Sequence, residues 1–206
     1  MTSVPRSLRT SVLLGVAVLT AVLSSTTNVD AAVSPYKATD TVGDAPRKAD
    51  LRSYKVVYGD TVKLSAKLRK GTDPYSSPLW VDRLTGVMWL IDVPGGSEFP
   101  EFAAFFYNGD PGMLDGEVDH FDFPNFDEKA CETDESFRDG NRYQVSFPDT
   151  CIGSPANIRV QAIMVLDKGE PNLGPGLPNP DEDIVDYAPN APFALSPKIK
   201  PSSADS

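Results

Sequence analysis

Between Thr61 and Leu68 the chain alternates strictly. Val62, Leu64, Ala66 and Leu68 are apolar, while Thr61, Lys63, Ser65 and Lys67 are polar. A two-residue period is that of a strand with one face buried and the other in water. The run before it, Leu51–Tyr58 (LRSYKVVY), is separated from it by Gly59-Asp60. That dipeptide predicts a hairpin, with Gly59 supplying a positive φ at the turn. Further strands are predicted over Gly86–Val93, apolar enough to be buried on both faces, and over Glu101–Tyr107, Val118–Phe123, Arg142–Phe147 and Ile158–Leu166. Turn signals punctuate them at Pro94-Gly95-Gly96, Asn108-Gly109, Pro111-Gly112, Asp139-Gly140-Asn141 and Gly153-Ser154-Pro155. Beyond the first thirty residues no long stretch has helical spacing. Many short strands joined by Gly/Pro turns predict an all-β, antiparallel β-sandwich, jelly-roll or immunoglobulin-like.

The two ends differ from this middle. Arg6 and Arg9 precede an apolar run, Ser11–Leu23, that is too short to span a bilayer, and Val29-Asp30-Ala31 puts small residues where a signal peptidase reads. Residues 1–31 are expected to be a signal peptide, residues 32–197 a single sandwich domain, and residues 198–206 a flexible tail. From Lys168 to Ser206 there are eight prolines, at 171, 175, 178, 180, 189, 192, 197 and 201. Such density excludes central strands and helices and leaves room for one short edge strand at Asp183–Tyr187.

Charge narrows the class of partner. The chain has 206 residues, 19 basic and 29 acidic, for a net charge of -10. Removal of residues 1–31 leaves 175 residues with 17 Lys or Arg and 28 Asp or Glu, a charge of -11. A pI near 4.5 argues against a nucleic-acid binder and against docking on anionic lipid. With no second hydrophobic segment, no stable membrane anchor is expected, and the mature protein should be secreted. Cys131 and Cys151 are the two cysteines. An even count in an exported chain predicts one disulfide, since neither a CxxC motif nor a second histidine is present to make a metal or thiol site.

Several stretches carry a resemblance. Asp40-Thr-Val-Gly43-Asp44, then Asp50-Leu51 and the hairpin, resemble the start of secreted actinobacterial β-sandwich proteins. These in turn are similar to DOMON-like and family 9 carbohydrate-binding-module-like domains. Val145–Pro148 with Cys151–Val160, and Asp186-Tyr187-Ala188-Pro189, resemble the closing part of the same domains. The resemblance implies a sandwich fold and a carbohydrate ligand class.

Candidate chemistry lies in acidic loops and aromatics. Asp40 and Asp44, with Asp50 further on, form one set; Asp110, Asp115, Glu117 and Asp119 form a second. Oxygen ligands so spaced suit Ca2+, which takes six to eight oxygens in a flexible shell. Neither set matches the EF-hand pattern, and the alternative for each is a solvated turn in which Asp caps its own backbone. His120, between Asp119 and Asp122, is the sole histidine, but no nucleophile elbow accompanies it and no catalytic residue is assigned. Tyr75, in the loop DPYSSP, and Trp80 are the surface candidates for stacking on a sugar ring, whereas Trp89 in VMWLI belongs in a core. The expected function is a secreted, non-catalytic binding module, with carbohydrate as ligand and Ca2+ as structural ion. The alternatives are a small secreted carboxylate-dependent hydrolase, and a protein-binding inhibitor that presents Asn172–Asp183 as a loop to a secreted protein partner.

Overall fold

The alternation at Thr61–Leu68 is realised as a central strand of a two-sheet sandwich. The computed structural model describes residues 35–81, 85–96, 98–110, 113–122, 125–166, 184–189 and 191–202. The expected signal peptide and the loop Asn172–Asp183 lie outside the described residues. Twelve strands run in order: β1 Tyr36–Thr39, β2 Leu51–Val57, β3 Thr61–Leu68, β4 Gly86–Asp92, β5 Phe102–Asp110 and β6 Met113–Asp115, then β7 Glu117–Asp122, β8 Asn125–Glu132, β9 Asp134–Arg138, β10 Arg142–Pro148, β11 Arg159–Leu166 and β12 Ile184–Ala188. One sheet has five strands ordered β1-β2-β3-β10-β9. The other has seven, ordered β12-β11-β4-β5-β7-β8, with β6 paired to β5. Every pairing is antiparallel.

The core lies between the sheets. Val62, Leu64, Ala66 and Leu68 of β3, with Tyr143, Val145 and Phe147 of β10, meet Val87, Trp89 and Ile91 of β4 and Val160, Ala162 and Met164 of β11. Each such side chain contributes roughly 1.5–3 kcal/mol when fully buried. β4 is buried on both faces, as its unbroken apolar run predicts. Its Met88 and Leu90 belong to a second apolar cluster, with Ala103, Phe121 and Ile163, on the opposite side of the seven-stranded sheet. One end of the core is closed by a short helix, α1 Pro78–Val81.

Three local expectations are corrected. The β2–β3 hairpin forms, but Gly59 does not have a positive φ. A Cβ there would stand 3.0 Å from the Ser202 hydroxyl, so close approach of the C-terminal segment is what glycine permits. The tail expected to be loose from residue 198 is tied down through Ser202. Ile199 forms a bridge with Ile158, and the Ser202 amide donates to the Tyr58 carbonyl at 2.8 Å. By contrast, Asp139-Gly140 forms its hairpin turn with consecutive positive φ values of 56° and 69°, as an Asp-Gly pair should. The third correction concerns strands that were not predicted. β1, β8 and β9 are at sheet margins and β6 pairs with β5 beside the main path; β8 and β9 carry charged residues where a central strand alternates, and β1 and β6 are only four and three residues long.

The sheets are joined covalently near one margin. Cys131 on β8 bonds Cys151, which sits in the 3-10 turn Asp149–Ile152 after β10, with 5.9 Å between Cα atoms. Replacing both cysteines by serine should lower stability by about 3 kcal/mol. For a domain of this size that is a fall of roughly 6–12 °C in melting midpoint, and equal midpoints for the two proteins would refute a structural role.

Candidate metal centre

Opposite the disulfide, the margin formed by β1, β2 and β12 gathers carboxylates. β1 ends at Thr39 and Asp40 follows it. The loop then turns at Gly43, whose φ of 103° is a left-handed conformation open to glycine, and carries Asp44. Asp186 arrives from the other sheet. On β12 the residues Ile184, Asp186 and Ala188 face inward, so an acid occupies the middle of an otherwise apolar face. Among the described residues, Asp40, Asp44 and Asp186 are the one trio of potential ligand side chains whose atoms lie within 4.8 Å of one another.

The backbone is shaped around this meeting. β2 carries a bulge: Leu51 pairs with Leu68 but Ser53 pairs with Lys67, leaving Arg52 as the extra residue. The bulge puts both Leu51 and Tyr54 on the core side and frees the Leu51 amide from the ladder. That amide donates to Asp186 Oδ2 at 2.5 Å, across the gap between the sheets. Asp50, expected as a ligand of the same loop, is not in the trio. It is fully buried just behind, and its Oδ2 pairs with Arg69 Nη1 at 3.2 Å. Its charge is thus already compensated.

Asp40 and Asp186 are poorly compensated. Asp40 is 9% exposed and Asp186 5%. Neither buried oxygen of Asp40 makes a well-aligned hydrogen bond. Burial pushes the Asp40 carboxyl up to about 6; the adjacent Thr41 amide works the other way, and Asp44 and Asp50 add repulsion. Burial likewise raises Asp186 to about 7, against the Leu51 hydrogen bond, with repulsion from Asp40, Asp44 and Asp50 added. The donors are all carboxylate oxygens, the set a hard cation such as Ca2+ prefers, while Zn2+ sites draw chiefly on histidine nitrogen and cysteine sulfur. Asp40, Asp44 and Asp186 would hold such an ion.

The other expected positions are elsewhere. Glu117 accepts from the Tyr107 hydroxyl at 3.2 Å and pairs with Lys129 at 3.3 Å, while Asp119 is buried nearby on β7 with its carboxyl raised to about 6 by burial and then by Glu117. The side chains of Asp110 and Asp115 lie outside the described residues, although their backbones belong to β5 and β6. Trp80, expected to offer a face to ligand, is 0% exposed. Its ring stacks on Tyr143 at 5.0 Å and meets Phe106 edge-on, and its indole N–H donates to Thr72 Oγ1 at 2.8 Å. It plugs the end of the core. Tyr75 is displayed, 47% exposed, on a loop fastened by Asp73, which accepts from the Tyr75 amide and the Ser76 hydroxyl at 2.9 Å. His120 is exposed and lies against Phe102, ring centroids 4.8 Å apart. Missing from the sequence-based set were Asp186 and Arg69; the acid among inward-facing positions of DIVDY was the available signal. No family model matches the chain, and no curated protein or solved structure does.

The raised carboxyls dictate a pH dependence for the metal-free protein. An unfolded aspartate titrates near 3.9. From about pH 4 up to about 7 the folded state therefore holds protons that the unfolded chain has released, and stability falls as pH rises through that window. In EDTA, the wild-type melting midpoint should drop between pH 5 and pH 7.5 relative to that of Asp186→Asn, which carries no charge there. Parallel curves for the two proteins would contradict this account of Asp186.

Proposed function

We propose that this protein is an exported, non-catalytic binding module whose two sheets are clipped at one margin by Ca2+. The observation that carries the reading is the convergence of Asp40 and Asp44 beside one sheet with Asp186 of the other, around a buried Asp40 carboxylate that lacks an aligned donor. Three carboxylates so close repel one another, and a divalent cation removes that repulsion while tying β12 to the β1–β2 loop. Export is supported by the N-terminal segment 1–31 and by the Cys131–Cys151 disulfide, a bond that persists in oxidising compartments. Carbohydrate as the ligand class is supported by the resemblance of the chain to carbohydrate-binding sandwiches and by Tyr75, whose exposed ring can stack on a sugar.

Melting the mature protein in EDTA, in Ca2+ and in Mg2+ tests the clip. A ligand at 100 times its dissociation constant adds about 2.7 kcal/mol, which for this size is roughly 5–11 °C. Ca2+ should produce a rise of that order, and Mg2+, with its stricter octahedral demand, a smaller one. Asp40→Asn and Asp186→Asn should each abolish the rise. A wild-type midpoint indifferent to Ca2+ would sink the clip.

A further inference from the structure

The water-facing side of the five-stranded sheet concentrates positive charge on a protein whose net charge is -10. β2, β3 and β10 bury residues on the core side and β1 and β9 pack Tyr36, Ala38 and Phe137 against the same core, so the intervening residues share the outer face. The register then sets them in rows. Thr39, Ser53, Lys67, Arg142 and Arg138 lie side by side across the five strands, with three cations in direct succession. The next row is Lys37, Lys55, Ser65, Gln144 and Ser136, again with two cations adjacent. A third row, Val57, Lys63, Ser146 and Asp134, holds the one acidic strand residue on this face among the described residues.

Like charges directly opposite on neighbouring strands destabilise a sheet. Neighbouring strands are about 4.8 Å apart, well inside the ~8 Å screening length at physiological salt. Relief within the chain is slight. Asp139 in the β9–β10 turn reaches Arg142 at 3.6 Å, and both side chains are substantially exposed. No described ion pair involves Lys37, Lys55, Lys63 or Lys67. The fold thus retains a local repulsion that an external anion would relieve.

Resting on the binding-module reading but not on its calcium ion, we propose that this face is the docking surface for an acidic polysaccharide, a chain bearing repeated carboxylate or sulfate groups. Cations there are interleaved with hydroxyl and amide side chains, Ser65, Gln144 and Ser136 among them, which suit sugar hydroxyls. Among the described residues the large exposed apolar side chains are Val42, Tyr75 and Phe193, none of them in these rows, whose one apolar member is the half-buried Val57, too little to enter a membrane. The face also carries no aromatic ring on which a base could stack.

Calorimetric titration of the mature protein with dextran sulfate, polygalacturonate and neutral dextran tests this, with anionic vesicles and a single-stranded oligonucleotide as further arms. Both acidic polysaccharides should bind, more weakly as salt rises, and neutral dextran should not. The double variant Lys67→Glu/Arg142→Glu should lose affinity by about tenfold or more, while Lys198→Glu, in the C-terminal segment, should not. Because Lys67→Glu replaces the repulsion from Arg142 by an attraction, this single variant should itself lose affinity while melting no lower than wild type, which separates lost binding from lost folding. Undiminished binding by the double variant overturns the assignment, as does tighter binding to vesicles or oligonucleotide than to either polysaccharide. Binding to neutral dextran alone overturns it while leaving the module reading in place, and binding to nothing in the panel overturns both.

Discussion

An inward-facing carboxylate at the margin of a sandwich is the constraint around which this fold is arranged. Asp186 occupies a position on β12 where its neighbours Ile184 and Ala188 are apolar and packed against the core. A buried carboxylate is costly unless something answers its charge. The bulge at Arg52 turns the Leu51 amide toward it, and Asp50 leans on Arg69 rather than adding a third unbalanced charge. Even so, one amide is less than an ionised carboxylate needs, and Asp40 brings a second with no aligned donor. Replacing Asp186 with an aliphatic residue would give a conventional sandwich edge. Its presence is an expense that a cation would offset.

Seen this way, the molecule has two cross-sheet ties of different kinds. At the β8 side the link is covalent and independent of solution conditions other than redox state. On the β12 side it is the hydrogen bond from the Leu51 amide to Asp186, which the proposed cation would reinforce. Between them the two inner faces are held by apolar packing and by cross-sheet hydrogen bonds such as that from the Tyr54 hydroxyl to the Val160 carbonyl at 3.0 Å. Local opening starts where such contacts thin out, at margins and loops. A tie at each margin addresses both of the places from which the sheets could part.

How much of this was legible follows from where each residue sits. Central strands announce themselves, because β3 and β10 divide cleanly into buried and wet faces and β4 is apolar throughout. Marginal strands do not, since β8 (NFDEKACE) and β9 (DESFR) carry charge where an edge is exposed to water. Asp40 and Asp44 were visible as a pair because they are close in sequence, and the same proximity set Asp50 beside them, whereas its carboxylate pairs with Arg69. Asp186 could be connected with them only through the pairing of β12 with β11 and the stacking of one sheet on the other. Trp80 looked superficial because prolines and loop residues surround it, but the turn at Pro74–Ser76, closed by the Ser77 amide donating to the Asp73 carbonyl, leads into α1 and sets the ring over Tyr143. Net charge misled in a related way: an average of -10 conceals how the register of five strands sorts the lysines to one side.

That sorting bears on why the two sheets can have different work. The seven-stranded sheet has apolar clusters on both of its faces, so it has little to offer a polar ligand. The five-stranded sheet has one face in water, and the β1 and β2 strands that supply Lys37 and Lys55 to that face also border the carboxylate trio. A cation that immobilises the β1–β2 loop would remove conformational freedom from the strands presenting those lysines. If both proposed ligands bind, ordering supplied in one event need not be supplied again in the next, which would couple the two sites without any change of average shape. The coupling must also be reciprocal: a polyanion that orders the same strands from outside would tighten the hold on the cation by the same factor.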